Sequence, residues 1–141
     1  MGQFIVFVHH HPLLFAAFGV VVVLLALNEL VYMLRGGKTI GPVEAVRLIN
    51  DKDAVVLDVR SESEYRKSHI LNARSMPRQR VDEEPKELQK FKERELIICA
   101  STDTVAAQVR DKLSAKGYTS VHSLKGGLNG WQGASLPVSS K

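Results

Sequence analysis

The chain has 141 residues, a formal net charge of +4 and 24% charged residues, a composition typical of a mildly basic globular protein of one-domain size. These values exclude an intrinsically disordered chain. Nucleic acid is excluded as a partner, because the sequence has no stripe of Lys and Arg with interleaved aromatic residues. The single cysteine, Cys99, cannot form an intramolecular disulfide, so the sequence predicts a reducing compartment.

The first predicted element is an apolar helix over residues 13–34, preceded by a short N-terminal segment at residues 1–12. Its only strongly polar side chains are those of Asn28 and Glu29. A helix of this length spans roughly 33 Å at about 1.5 Å per residue, enough for a hydrocarbon core of about 30 Å. A chain this small has no core that could surround a helix apolar on every face. A membrane span is therefore favoured over a buried core helix, with the lipid bilayer as a partner.

The flanks of this helix predict its orientation. Arg35, Lys38 and Arg47 follow the helix, whereas no Lys or Arg precedes it. The positive-inside rule therefore places the rest of the chain in the cytoplasm, as a single-pass protein. A cleaved signal peptide is disfavoured, because the helix has no basic residue before it and no small-residue cleavage site after it.

Several polar and small residues in this region have more than one possible role. The three histidines at residues 9–11 fit a polar cluster at the membrane interface better than a metal site. Glu29 either reaches the headgroup region or, if it lies deeper, contacts a second helix. The small residues Ala16, Ala17 and Gly19 would allow two such helices to approach closely.

A linker at residues 35–39, with Gly36 and Gly37 as a hinge, leads to a domain at residues 40–141. In this domain, apolar runs of strand length alternate with amphipathic segments. This pattern predicts an α/β domain with a mainly parallel sheet covered by helices on both faces. The predicted strands are residues 38–41, 54–59, 73–76, 95–100 and 120–124, and the predicted helices are residues 42–50, 61–67, 82–94 and 104–116.

Cys99 follows the apolar run of residues 96–98 and precedes a loop that leads into a helix. In parallel sheets the functional crevice lies beyond the carboxyl ends of the strands. Loop amides and a helix N-terminus at this place would stabilise a thiolate or a persulfide anion. A buried structural cysteine fits the position equally well.

Two blocks of the domain resemble the rhodanese (sulfurtransferase) family. The second block, residues 96–138, has a cysteine loop, a following helix, a Gly-Tyr turn, a Gly-Gly pair, Trp131 and a closing Leu-Pro. The first block, residues 55–77, matches the family at Asp58, Arg60, Glu64, Tyr65, His69, Ile70, Ala73 and Pro77. On these motifs the chain is identified as a member of the family, of the membrane-anchored single-domain bacterial type.

The resemblance implies a three-layer α/β fold with a central, mainly parallel sheet. It also implies a sulfurtransferase of the bacterial inner membrane, which carries sulfane sulfur as a persulfide on Cys99 from a thiosulfate or persulfide donor to a thiol acceptor. No cofactor and no metal is expected. The predicted site consists of Cys99 as nucleophile, the active-site loop of Ala100, Ser101, Thr102, Asp103 and Thr104 with its amides around the sulfur, and Asp58 and Arg60 as a supporting ion pair.

The loop departs from the family pattern because it has neither glycine nor a basic residue. Asp103 would repel an anionic donor such as thiosulfate. Two other hypotheses therefore stay open: a non-catalytic interaction module at the cytoplasmic face that associates with membrane protein insertion or export machinery, and thiol sensing by Cys99. A cysteine phosphatase is excluded, because Val105 occupies the position of the arginine that such an enzyme requires.

Other residues of the two blocks have predicted structural roles. Glu64 supports the start of its helix through a capping box. His69 is expected to fix a turn, with a proton shuttle as the alternative. Trp131 is expected to cap the core or rim the crevice, with ligand stacking as the alternative. Gly126 and Gly127 fit a turn that requires backbone freedom.

Overall fold

The computed structural model describes residues 1–35 and 38–140, and the chain divides into two compact units, Met1–Arg35 and Gly36–Lys141. The predicted hinge at Gly36 and Gly37 lies outside the described residues.

The N-terminal unit consists of two helices, α1 at Gly2–His10 and α2 at Pro12–Arg35. His11 leaves the helical conformation, with φ −131° and ψ 57°. Pro12 then begins α2, because a proline in the first helical turn loses no hydrogen bond. The stretch predicted only as a short N-terminal segment is thus largely helical.

Aromatic contacts hold α1 against α2. Phe4 and Phe7 pack edge-on against Phe15, with ring centroids 6.2 and 5.9 Å apart. The ring of His11 packs on Phe7 at 5.3 Å, and the described residues contain no cluster of three side chains placed to hold a metal ion.

Helix α2 is long and apolar enough to cross a membrane. Its stretch Pro12–Val31 has a mean hydropathy of 2.4, and none of it is buried. The alternative of a buried core helix is therefore wrong. By length and composition, the helix fits a membrane span or a signal sequence.

The second unit is built from seven described strands and six described helices. The strands are β1 (Thr39–Ile40), β2 (Val55–Asp58), β3 (His69–Ile70), β4 (Arg74–Ser75), β5 (Glu95–Cys99), β6 (Ser120–Leu124) and β7 (Val138–Ser139). The helices are α3 (Pro42–Lys52), α4 (Glu62–Lys67), α5 (Arg78–Asp82), α6 (Lys86–Gln89), α7 (Asp103–Ala115) and α8 (Gly127–Gly133).

Five of these strands form one parallel sheet in the order β1-β6-β5-β2-β4, so β5 is the central strand. Alternate residues of β5 enter two separate hydrophobic cores. Leu96 and Ile98 pack with α7 on one face, and Ile97 and Cys99 pack with α3 and α8 on the other. All four are fully buried. The predicted three-layer α/β fold with a parallel central sheet is confirmed.

Two local predictions differ from the structure. The single helix predicted over residues 82–94 is wrong, because α5 ends at Asp82, α6 covers only Lys86–Gln89, and residues 90–93 form turns. Pro85 has no amide to donate and disfavours a helical conformation at Glu84, which instead has φ +46°. The antiparallel pair β3–β7 was not predicted, because two-residue strands leave no periodic signal.

Candidate active site

The three central strands of the sheet end at one edge. β2 ends at Asp58, β5 at Cys99 and β6 at Leu124, and Asp58 is the register partner of Cys99. Helix α7 follows after a short loop, with Thr102 as its N-cap, whose side chain accepts a hydrogen bond from the Val105 amide at 3.2 Å. Cys99 therefore lies at the carboxyl edge of the central strand, as predicted.

The sulfur of Cys99 is enclosed. The residue is fully buried and shares a hydrophobic core with Trp131. Burial raises the pKa of the thiol from 9.0 to about 12, and the carboxylate of Asp58 acts in the same direction. The guanidinium of Arg60 and the nearby backbone amide of Leu128 lower the pKa, but by less. At neutral pH Cys99 is therefore a neutral thiol in this conformation.

The predicted ring of loop amides does not surround the sulfur in this conformation. None of the amides of residues 100–104, all within the described part of the chain, donates to Cys99. The amide that acts on the thiol belongs to Leu128, after the Gly-Gly pair. Residues 101–104 are exposed, whereas Ala100 is buried.

Residues 126–128, here named the glycine turn, cover the sulfur. Gly126 and Gly127 have φ of +75° and +53°, a region that residues with a Cβ rarely adopt. A Cβ on Gly127 would lie 2.4 Å from the carbonyl oxygen of Ala100. The predicted need for glycine here is confirmed, because only glycine lets the turn approach the strand end so closely.

Asp103 connects the active-site loop to the same turn. Its Oδ1 accepts a hydrogen bond from the Gly126 amide at 2.8 Å. The three residues of the glycine turn thus contact Asp103, Ala100 and Cys99 in order. The loop and the turn are therefore joined to each other beside Cys99.

The predicted ion pair between Asp58 and Arg60 is present. Arg60 Nε donates to Asp58 Oδ1 at 2.9 Å, and Nη2 donates to Oδ2 at 2.7 Å. Nη2 also donates to the Ser68 carbonyl at 2.7 Å. The Asp58 side chain is fully buried and that of Arg60 is 9% exposed. The pair joins the end of β2 to the segment after α4, so it positions the chain beside Cys99.

Several motif residues have structural roles. Ser61 and Glu64 form the predicted capping box of α4. The Tyr65 hydroxyl donates to the Ala73 carbonyl at 2.6 Å. The ring of His69 stacks on Tyr65 at 3.9 Å, and its Nδ1 lies 2.7 Å from the Tyr65 carbonyl oxygen, which fixes the turn as predicted.

Trp131 is buried in the core around Cys99. Its Nε1 donates to the Pro137 carbonyl at 2.9 Å, so the indole joins α8 to the C-terminal segment. A capping role in the core accounts for these contacts.

A family model described as the rhodanese-like domain matches residues 41–134 of the chain. The chain belongs to the rhodanese-like domain family. Its rhodanese-like domain resembles the Alr3790 protein from Anabaena sp., with a TM-score of 0.63 and 27% identity over 72% of this chain and 91% of that one.

Two curated relatives extend the comparison. The chain is 31% identical over 139 residues to Uncharacterized protein YibN of Escherichia coli (strain K12), covering 98% of this chain and 97% of that protein. It is 28% identical over 95 residues to Thiosulfate sulfurtransferase GlpE of Coxiella burnetii (strain RSA 331 / Henzerling II), covering 67% of this chain and 87% of that protein. The first match extends beyond the rhodanese-like domain into the apolar N-terminal unit, and the second supports a sulfurtransferase-like role at the level of the family.

Proposed function

We propose that this protein is a sulfurtransferase that carries sulfane sulfur as a persulfide on Cys99, and that α2 anchors it in the bacterial inner membrane with its rhodanese-like domain in the cytoplasm. The observation that supports the chemistry is the position of Cys99, at the carboxyl end of the central strand and beside Arg60 and the Leu128 amide. Both groups favour a negative charge on sulfur.

The proposed reaction has two displacements at sulfur. Cys99 first loses its proton to solvent, and its thiolate attacks the outer sulfur of the donor. The S–S bond of the donor breaks, and the leaving group, sulfite from thiosulfate or a thiolate from a persulfide, takes the electron pair. An acceptor thiolate then attacks the outer sulfur of the Cys99 persulfide, which forms the acceptor persulfide and returns Cys99 as a thiolate.

Because the Cys99 sulfur is enclosed, the proposed reaction requires the site to open. Donor can reach Cys99 only when the glycine turn and the active-site loop separate. The polar contact between them is a single hydrogen bond from Gly126 to Asp103, supplemented by the packing of Gly127 on Ala100. Because so few contacts join the glycine turn to the active-site loop, separating them requires far less free energy than global unfolding.

Full-length protein in detergent, incubated with thiosulfate or with inorganic polysulfide, is expected to gain one sulfur atom in intact-protein mass spectrometry. Dithiothreitol should remove the added sulfur, because it is an acceptor thiol. The matched control is Cys99→Ser, which differs by one atom and leaves the chain without any thiol. A wild-type protein that gains no sulfur from either donor would contradict the proposal.

The enclosure of Cys99 favours a second candidate, a non-catalytic interaction module at the cytoplasmic face that docks on other membrane proteins. A neutral, covered thiol and a loop without a basic residue are compatible with such a module. Cys99→Ser distinguishes the two functions in cells. Full complementation of a deletion strain by the variant would favour the module, and loss of complementation would favour the enzyme.

The proposed anchor predicts that the native protein stays in the membrane pellet after an alkaline carbonate wash. A variant with Val22→Arg and Leu25→Arg should move to the supernatant, because each arginine near the centre of a span disfavours insertion by about 2.5–3.5 kcal/mol. Protease added outside spheroplasts should leave the domain intact. A wild-type protein whose mass lacks the N-terminal unit would instead identify a cleaved signal sequence.

A further inference from the structure

The hydrogen bond from Gly126 to Asp103 places a carboxylate at the seam that covers Cys99. Asp103 is the first residue of α7, but the N-cap of that helix is Thr102, which accepts from Val105. The Asp103 carboxylate is instead directed across the loop to the Gly126 amide at 2.8 Å. A negative charge is therefore held where the loop and the glycine turn must separate.

The neighbouring charges do not cancel this one. A shallow depression of about 670 Å³ beside the contact is lined by the carboxylates of Asp103 and Asp111 and by the ammonium of Lys125. Asp111 is paired with Arg110 at 2.9 Å, whereas no cation among the described residues forms an ion pair with Asp103. Arg60, whose charge acts on the Cys99 thiol, is ion-paired with Asp58 and forms no ion pair with Asp103. Asp103 therefore holds a negative charge without an ion-pair partner at the contact between the loop and the glycine turn.

On the basis of the proposed function, we infer that Asp103 is a specificity-determining residue that selects sulfur donors by charge. The dianion thiosulfate is disfavoured because it must pass the carboxylate. A persulfide carried on a cationic thiol compound has a net charge near zero, because the cation offsets the anionic persulfide, so it meets no such net repulsion. This assigns the natural donor to that second chemical class.

Asp103→Asn tests the inference, because the asparagine oxygen can still accept from Gly126 while the charge is removed. The matched control is Asp111→Asn, which makes the same change about 12 Å further along α7. At low salt, Asp103→Asn is expected to raise kcat/KM for thiosulfate about fivefold. The value for cysteamine persulfide should stay unchanged, and Asp111→Asn should alter neither.

Alkylation of the chain's only cysteine gives a readout independent of sulfur transfer. Iodoacetate carries one negative charge and iodoacetamide none, and the two have similar shapes. Asp103→Asn should raise the rate with iodoacetate relative to iodoacetamide about twofold, and added salt should reduce this difference between the variant and the wild type.

Any of three results would overturn charge selection by Asp103. Asp103→Asn changes the rates of the charged and the neutral reagents equally, or it changes neither the ratio of the two donors nor the ratio of the two alkylating reagents, or Asp111→Asn has an equal effect. Absence of a Cys99 persulfide with every donor would instead contradict the proposed function. The alkylation ratio decides the charge selection in that case as well, so the two failures are distinguishable.

Discussion

Replacing Asp58 by alanine is expected to lower the free energy of unfolding by about 3–5 kcal/mol, because it leaves the buried guanidinium of Arg60 without its carboxylate. The Ser68 carbonyl would be the remaining acceptor among the described contacts of Arg60. The pair also lies beside Cys99, so the loss should disturb the candidate site as well as the fold. Urea unfolding followed by the fluorescence of Trp131, the one tryptophan, measures the effect.

Two controls separate the buried ion pair from ion pairing in general. Glu62→Ala breaks the ion pair with Arg66, in which both side chains are 65% exposed, and should change stability little. A double variant, Asp58→Ala with Arg60→Met, removes the unpaired charge and should regain part of the lost stability. An Asp58→Ala variant as stable as Glu62→Ala would show that the pair does not hold the strand end.

Replacing Gly127 by alanine is expected to destabilise the domain by more than about 2 kcal/mol. The new Cβ would lie 2.4 Å from the Ala100 carbonyl oxygen, and the backbone would keep a φ of +53° that alanine rarely adopts. The glycine turn must therefore move away from the end of β5. Since that turn covers Cys99, alkylation of the cysteine should become faster in the variant that remains folded.

Gly133→Ala is the matched control for this substitution. Gly133 ends the same helix, α8, and a Cβ there would meet no atom within 4 Å. Its stability and the alkylation rate of Cys99 should stay close to those of the wild type. A Gly127→Ala protein with unchanged stability and unchanged alkylation would show that the turn does not close the site.

Much of the fold was predictable because its strongest signals are local. The apolar runs of β2 and β5 are typical of parallel strands buried on both faces, and the sequence before α4 contains its capping box. The helix predicted over residues 82–94 is interrupted at Pro85, because proline has no amide to donate inside a helix. This effect is stronger than that of the acidic residues, which favour a helix start. Helix α8 was not predicted as a helix, because its three glycines have low helical propensity.

The candidate site was predictable only in part. The position of Cys99 at a strand end beside Asp58 follows from the parallel sheet, because the carboxyl ends of neighbouring strands lie at one edge. Arg60 lies close to both because it follows Asp58 closely in the sequence. The sequence does not predict what covers the sulfur. Gly126 and Leu128 lie in the turn after β6, and the path of that turn depends on the folded sheet. A sequence pattern contains no direct information on such a contact.

The closed cover over the one cysteine also affects how long the protein survives oxidative stress. Peroxide converts accessible thiolates to sulfenic acid and then, irreversibly, to sulfinic and sulfonic acids. Cys99 is protonated and shielded in the closed form, so this damage is confined to the moments when the cover is open. For the same reason, two copies of the chain do not become cross-linked through Cys99 while the cover is closed.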